Sequence, residues 1–141
     1  MYFYHAYGAF GAIKVLFSII IMAEHNILGT RGEDLAVEFL KDKGHQIVER
    51  NWRLGGYEID IISEDDEFIV FVEVKTRSSS QWGNPEQSIG KQRMRRMING
   101  ASHYLKLNNI DKPARFDIVA IIVSEKEKEI EHFEDAFLAF L

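Results

Sequence analysis

The chain has 141 residues, a formal net charge of −5 and 46% hydrophobic residues, which is one folded domain's worth of protein. With no cysteine, disulfide scaffolds, thiolate zinc sites and cysteine nucleophiles are excluded. A pI near 5.5 argues against bulk attraction to nucleic acid or anionic membrane, yet both charge and hydrophobicity are unevenly spread.

Within residues 1–22, 17 positions are apolar or aromatic and Lys14 is the only acidic or basic side chain. A spanning helix needs about 20 apolar residues, so this segment spans only if Lys14 and His5 are accepted in a bilayer. A secretory signal would carry its basic residues ahead of the apolar run. At Met22-Ala23-Glu24-His25 the text changes abruptly and reads as a natural beginning. Residues 1–22 are therefore expected to be an extension outside the fold, with a membrane anchor as the second reading. An extra core helix ranks last, because the apolar positions follow no single stripe. Residues 23–141 then form one domain, expected in the cytoplasm.

The spacing of Leu28, Leu35, Ala36, Phe39 and Leu40 predicts a helix from Asn26 to Lys43, stopped by Gly44. Strands are predicted from Gln46 to Arg53 and from Tyr57 to Ser63, separated by Gly55-Gly56. The run Glu64-Asp65-Asp66-Glu67 reads as a solvated turn into a third strand, Phe68 to Arg77. A loop from Ser78 to Pro85 leads to a helix from Glu86 to Leu107, with Met94, Met97, Ile98, Ala101, Tyr104 and Leu105 on its buried side. Arg115 to Ser124 is apolar on both faces, as a central strand requires, and Glu129 to Phe133 is a charged edge strand.

Carboxylates interrupt the strands where apolar residues are expected. Glu58 and Asp60 lie among isoleucines, and Glu73 and Lys75 alternate with valines. A period of two puts each pair on one face. If the Glu64 to Glu67 turn closes symmetrically, Glu58 and Asp60 come close to Phe71 and Glu73 across the hairpin. Carboxylates flanked by Ile and Val are costly to desolvate unless a cation neutralises them. Two carboxylates plus water and phosphate oxygens suit Mg²⁺. The alternative is an ordinary Glu–Lys ion pair on a half-exposed hairpin.

Asp60, then Glu73-Val74-Lys75, after a helix carrying Gly32-Glu33, resembles the PD-(D/E)-x-K nuclease superfamily. More closely, the chain resembles the YraN-like uncharacterised family, which is similar to Holliday junction resolvases. The likeness runs from about Met22 to Phe137 and includes Arg50-Asn51-Trp52-Arg53, Lys91 and Arg115-Phe116-Asp117. Ile59 stands where the superfamily's name has proline. The resemblance implies an α/β, restriction endonuclease-like three-layer fold, a mixed sheet flanked by helices with a helix-β-β-β-helix-β core. It implies Asp60, Glu73 and the Val74 carbonyl as ligands of Mg²⁺ or Mn²⁺. Lys75 would orient the attacking water or stabilise charge at phosphorus, with Glu33 as a fourth catalytic member. Equally, Glu33 reads as a first-turn glutamate favoured by the helix dipole. DNA ahead of RNA is the implied partner, and a homodimer is compatible with it.

Between Lys75 and Arg96 lie six basic residues and one acid, Glu86. Lys91 and Arg95 share one flank of the helix's apolar stripe and Arg93 takes the other. Lys91, Arg95 and Arg77 are the candidates for phosphate contact, against the ordinary reading of a solvated charged face. Trp82 is placed to stack on a base or on its own domain. Gly90-Lys91 superficially ends like a phosphate loop, but Gln92 replaces the required Ser/Thr. The leading expectation is a metal-dependent endonuclease hydrolysing DNA phosphodiesters, on branched or single-stranded substrates. The alternative is a non-catalytic nucleic-acid-binding protein with the same fold.

Overall fold

A computed structural model describes residues 6–77, 89–123 and 128–138. The elements run α1 (Ala6–Asp42), β1 (Gln46–Leu54), β2 (Tyr57–Glu64), β3 (Ile69–Arg77), α2 (Lys91–Leu107), β4 (Ala114–Val123) and β5 (Lys128–Phe133). The chain divides into two compact units after Arg31.

In the first unit, α1 begins twenty residues ahead of the Asn26 start expected from periodicity, because no proline breaks the run. Ile13, Val15, Leu16, Phe17 and Ile19 to Met22 are exposed. By length and composition this helix could cross a membrane, with a mean hydropathy of 1.5 over 18 residues.

The second unit is built on a five-stranded mixed sheet in the order β1-β2-β3-β4-β5, antiparallel except for the parallel pair β3–β4. Parallel neighbours need a crossover, and α2 lies within it. Ala36, Val37 and Leu40 of α1 pack on one sheet face with Ile61, Val70, Val72, Val119 and Ile121. Met94, Met97, Ala101 and Tyr104 of α2 cover the other with Ile59, Ile62, Phe71, Phe116 and Ile118. The result is the expected three-layer α/β arrangement, and β3 and β4 are apolar on both faces because both are covered.

Local chemistry sets the element ends. Gly44, at φ 93°, closes α1: its N–H donates to the Lys41 carbonyl at 2.9 Å and the His45 N–H to that of Leu40 at 2.9 Å, a Schellman cap. Gly55 and Gly56, both at positive φ, form the two-residue turn between β1 and β2. The β2–β3 turn spans Asp65 to Phe68, not Glu64 to Glu67, because the Asp65 carboxylate accepts from the Glu67 and Phe68 N–H groups at 2.9 and 2.7 Å. The pairs Glu64↔Ile69 and Ile61↔Val72 follow. The turn is thus centred one residue later than expected, and Asp60 lies beside Glu73 as the expected convergence of carboxylates requires. The second helix is described from Lys91. Its expected beginning at Glu86, like the whole expected loop from Ser78 to Pro85 with Trp82 in it, lies outside the described residues.

The alternation of β2 also departs from a simple period of two. Ile59 joins the layer under α2, whereas Ile61 joins the layer under α1. The reversal falls at Asp60. On β1 the matching position lies between the pairs Arg50↔Ile61 and Trp52↔Ile59. It is Asn51, at φ 50°, one of the few residue types that accept the left-handed region. Both strands therefore switch faces at the same level.

Candidate active site

The β2–β3 ladder ends at Ile61↔Val72, and the two strands fork just beyond it. Asp60 bridges the fork: its Oδ2 accepts from the Val74 N–H at 2.9 Å. A strand residue's N–H and C=O point the same way, so the Val74 carbonyl faces the fork too. Asp60 and Glu73 are only 9% and 4% exposed. Burial, and next the facing Glu73 carboxylate, push the Asp60 carboxyl up from 3.8 to about 7, while the Val74 N–H and Arg93 pull the other way.

The expected residues fall into two groups. Lys75 joins the carboxylates, with Nζ 3.8 Å from Glu73 Oε1. Glu33 is close enough to raise Asp60's proton affinity and accepts from Asn51 Nδ2 at 3.1 Å. Its position is set by Gly32, where a Cβ would lie 1.9 Å from Thr76 Oγ1, so α1 approaches β3 closely at this level. Arg77 ends the same strand. Glu58, in contrast, pairs with Arg53 at 3.0 Å on an exposed hairpin. Lys91 and Arg95 are exposed and make no ion pair with a described residue.

Of the basic side chains on α2, Arg93 reaches the carboxylates. Its Nε donates to both Glu73 oxygens at 3.2 Å and its Nη2 to Oε2 at 2.7 Å, while Nη2 stands 3.8 Å from Asp60 Oδ1. Helical spacing placed Arg93 on the flank opposite Lys91 and Arg95. Which flank faced the carboxylates depended on how α2 docks, and Gly100 is the clue in the sequence. A Cβ there would meet Tyr57 Cβ at 3.1 Å and Trp52 at 3.4 Å, so this side of α2 is pressed against β1 and β2.

A second polar cluster lies under β4. Asp117, fully buried, accepts from Arg115 Nε and Nη2 at 2.9 Å each, from His132 Nε2 at 2.8 Å and from the Asp135 N–H at 3.0 Å. Burial would push its carboxyl up, but these hydrogen bonds outweigh it and hold the carboxyl below the usual range. His45 is satisfied by Ser63 Oγ at 3.0 Å, and burial lowers its proton affinity. These groups complete each other and serve the fold.

Among the described residues no three His, Cys, Asp or Glu side chains converge as a metal cage. Asp60 and Glu73 are nonetheless a fitting pair for one divalent cation. They are buried and mutually repelling, and Mg²⁺ takes one or two carboxylates and keeps several waters.

The fold is a three-layer α/β arrangement consistent with a nuclease-like one, with a buried carboxylate pair where β2 and β3 part. The chain belongs to the uncharacterised protein family UPF0102, whose pattern matches residues 32–121, and the YraN-like resemblance is thereby shown. A UPF0102 protein of Flavobacterium psychrophilum is 47% identical over 119 residues, covering 84% of this chain and 100% of that protein. A UPF0102 protein of Bacteroides fragilis is 43% identical over 116 residues, 82% of this chain and 96% of the relative.

Proposed function

We propose that this protein is a metal-dependent phosphodiesterase acting on DNA, with Asp60, Glu73 and Lys75 as its catalytic set. The observation that carries the reading is the buried Asp60–Glu73 pair at the fork, with Asp60's carboxyl pushed up to about 7. Two facing buried carboxylates cost desolvation and mutual repulsion, which Arg93 offsets at Glu73, whereas Asp60 has the Val74 N–H as its hydrogen-bond donor. Asp60, Glu73 and the Val74 carbonyl would hold Mg²⁺ or Mn²⁺. A divalent cation there lowers the pKa of bound water and screens phosphate charge. The Lys75 ammonium, beside Glu73, stabilises negative charge that develops on the phosphate oxygens. Glu33, at the margin of the same fork, orients water from the α1 side.

Purified protein incubated with labelled single-stranded, flap and four-way DNA in Mg²⁺ or Mn²⁺ tests this. Cleavage is expected, and Asp60→Ala and Lys75→Ala are each expected to abolish it. Cleavage that survives both substitutions, or none with any substrate, defeats the proposal. RNA strands in the same assay distinguish the nucleic acid. The exposure of Lys91 and Arg95 favours a second reading, binding of nucleic acid without catalysis. It expects salt-sensitive DNA binding that is lost on charge reversal of both residues and is indifferent to Asp60→Ala.

A further inference from the structure

We propose that Arg93 is shared between the carboxylates and the substrate: its guanidinium exchanges Glu73 for a phosphate oxygen of the bound strand and so yields the carboxylate pair to the divalent cation. This rests on the phosphodiesterase reading above and adds a substrate-binding residue to it. The guanidinium covers both oxygens of Glu73, at 3.2, 3.2 and 2.7 Å, and reaches toward Asp60 at 3.8 Å. A cation held by Asp60 and Glu73 must use the same oxygens and would lie beside a second positive charge. Arginine and divalent cation are thus competitors. The planar fork that matches a carboxylate matches a phosphate equally well, so displacement does not leave Arg93 without an anion once a strand is bound. Its side chain is 26% exposed, enough for the head to turn outward from a stem anchored on α2. Lys91 and Arg95 cannot substitute, because positions two apart on a helix point nearly opposite ways.

Binding of Mn²⁺ to the full chain, measured by calorimetry at pH 8 without DNA, tests the exchange, using Arg93→Gln and Arg93→Lys. Fluorescent single-stranded and four-way DNA in Ca²⁺ report the phosphate contact. Arg93→Gln is expected to bind Mn²⁺ roughly tenfold more tightly and DNA roughly tenfold more weakly, the scale of one charge-assisted hydrogen bond. Arg93→Lys, a point charge without the fork, should shift both affinities in the same directions by less. Far-UV circular dichroism establishes that each variant is folded; if Arg93→Gln is not, Arg93→Lys carries the test. Mn²⁺ affinity that is unchanged or weakened, or DNA affinity that is unchanged, overturns the assignment of Arg93 and leaves the phosphodiesterase reading standing. Failure of the wild type and both variants to bind Mn²⁺ defeats the metal reading of the site, and this inference with it.

Discussion

Asp60 is stabilised more by its proton than by its charge, and the sign of its pH effect follows. Its carboxyl moves from 3.8 in the unfolded chain to about 7 in the fold. Between those values the folded protein holds a proton that the unfolded chain has released. Asp60's contribution is therefore full below about pH 4 and lost as pH rises to about 7. Asp60→Asn should match the wild type near pH 4 and exceed it at pH 8 by about 1–3 kcal/mol, read from urea midpoints at the two pH values. His45, whose proton affinity is lowered by burial, acts with the opposite sign, so the difference between variant and wild type isolates Asp60. Equal stability at pH 8 would mean that Arg93 fully compensates the charge. Asp117 is the contrasting carboxylate, with four donors and no exposure. Asp117→Ala removes the acceptor shared by Arg115, His132 and the Asp135 N–H, leaving Arg115 only its ion pair with Asp65 among the described residues, and should lower stability by about 3–5 kcal/mol.

The approach of α1 to β3 is governed by Gly32. An added Cβ would lie 1.9 Å from the Thr76 hydroxyl and 3.1 Å from Thr76 Cβ. The overlap is with the Thr76 hydroxyl, whereas the Cβ contact is only tight, so either the branched side chain must turn or the helix must back off. Gly32→Ala is expected to destabilise by about 1–2 kcal/mol net, overpacking outweighing the roughly 1 kcal/mol gained in helix propensity. Adding Thr76→Ala should recover most of the loss in the same denaturation assay; no recovery would place the strain elsewhere. Element identities were legible because their signals are local. Gly44 stops α1, Gly55-Gly56 turns β1 into β2, and Met94, Met97, Ala101 and Tyr104 are indeed α2's buried face. The β2–β3 register was not legible. Composition alone centred the turn on the four acidic residues, whereas the Asp65 side chain's hydrogen bonds to the Glu67 and Phe68 N–H groups set it one residue further along.

Net charge predicts poor affinity for DNA, and the distribution of charge predicts the reverse. Each phosphate contact contributes roughly 0.7–0.9 to the salt slope of binding. Reversing Lys91 and Arg95 should therefore lower that slope by about 1.5, measured by titration across salt concentrations. An unchanged slope would assign phosphate contact to other residues. A chain beginning at Met22 should keep the urea midpoint of the full chain and lose its affinity for detergent micelles, since the side chains removed include the exposed Ile13 to Ile21. A drop in the midpoint would make that segment part of the folded unit. Composition and periodicity were sufficient for the α/β class, the element order and the chemically unusual strand positions Asp60, Glu73 and Lys75. Those are properties of short windows, in which a charge among isoleucines stands out without reference to any partner. The folded arrangement was needed to learn that β1 and β2 switch faces at Asn51 and Asp60, and that Arg93 rather than its neighbours on α2 reaches the carboxylates. Each of these depends on strand pairing or helix docking between residues well separated in the chain, and such choices leave no periodic trace in the sequence.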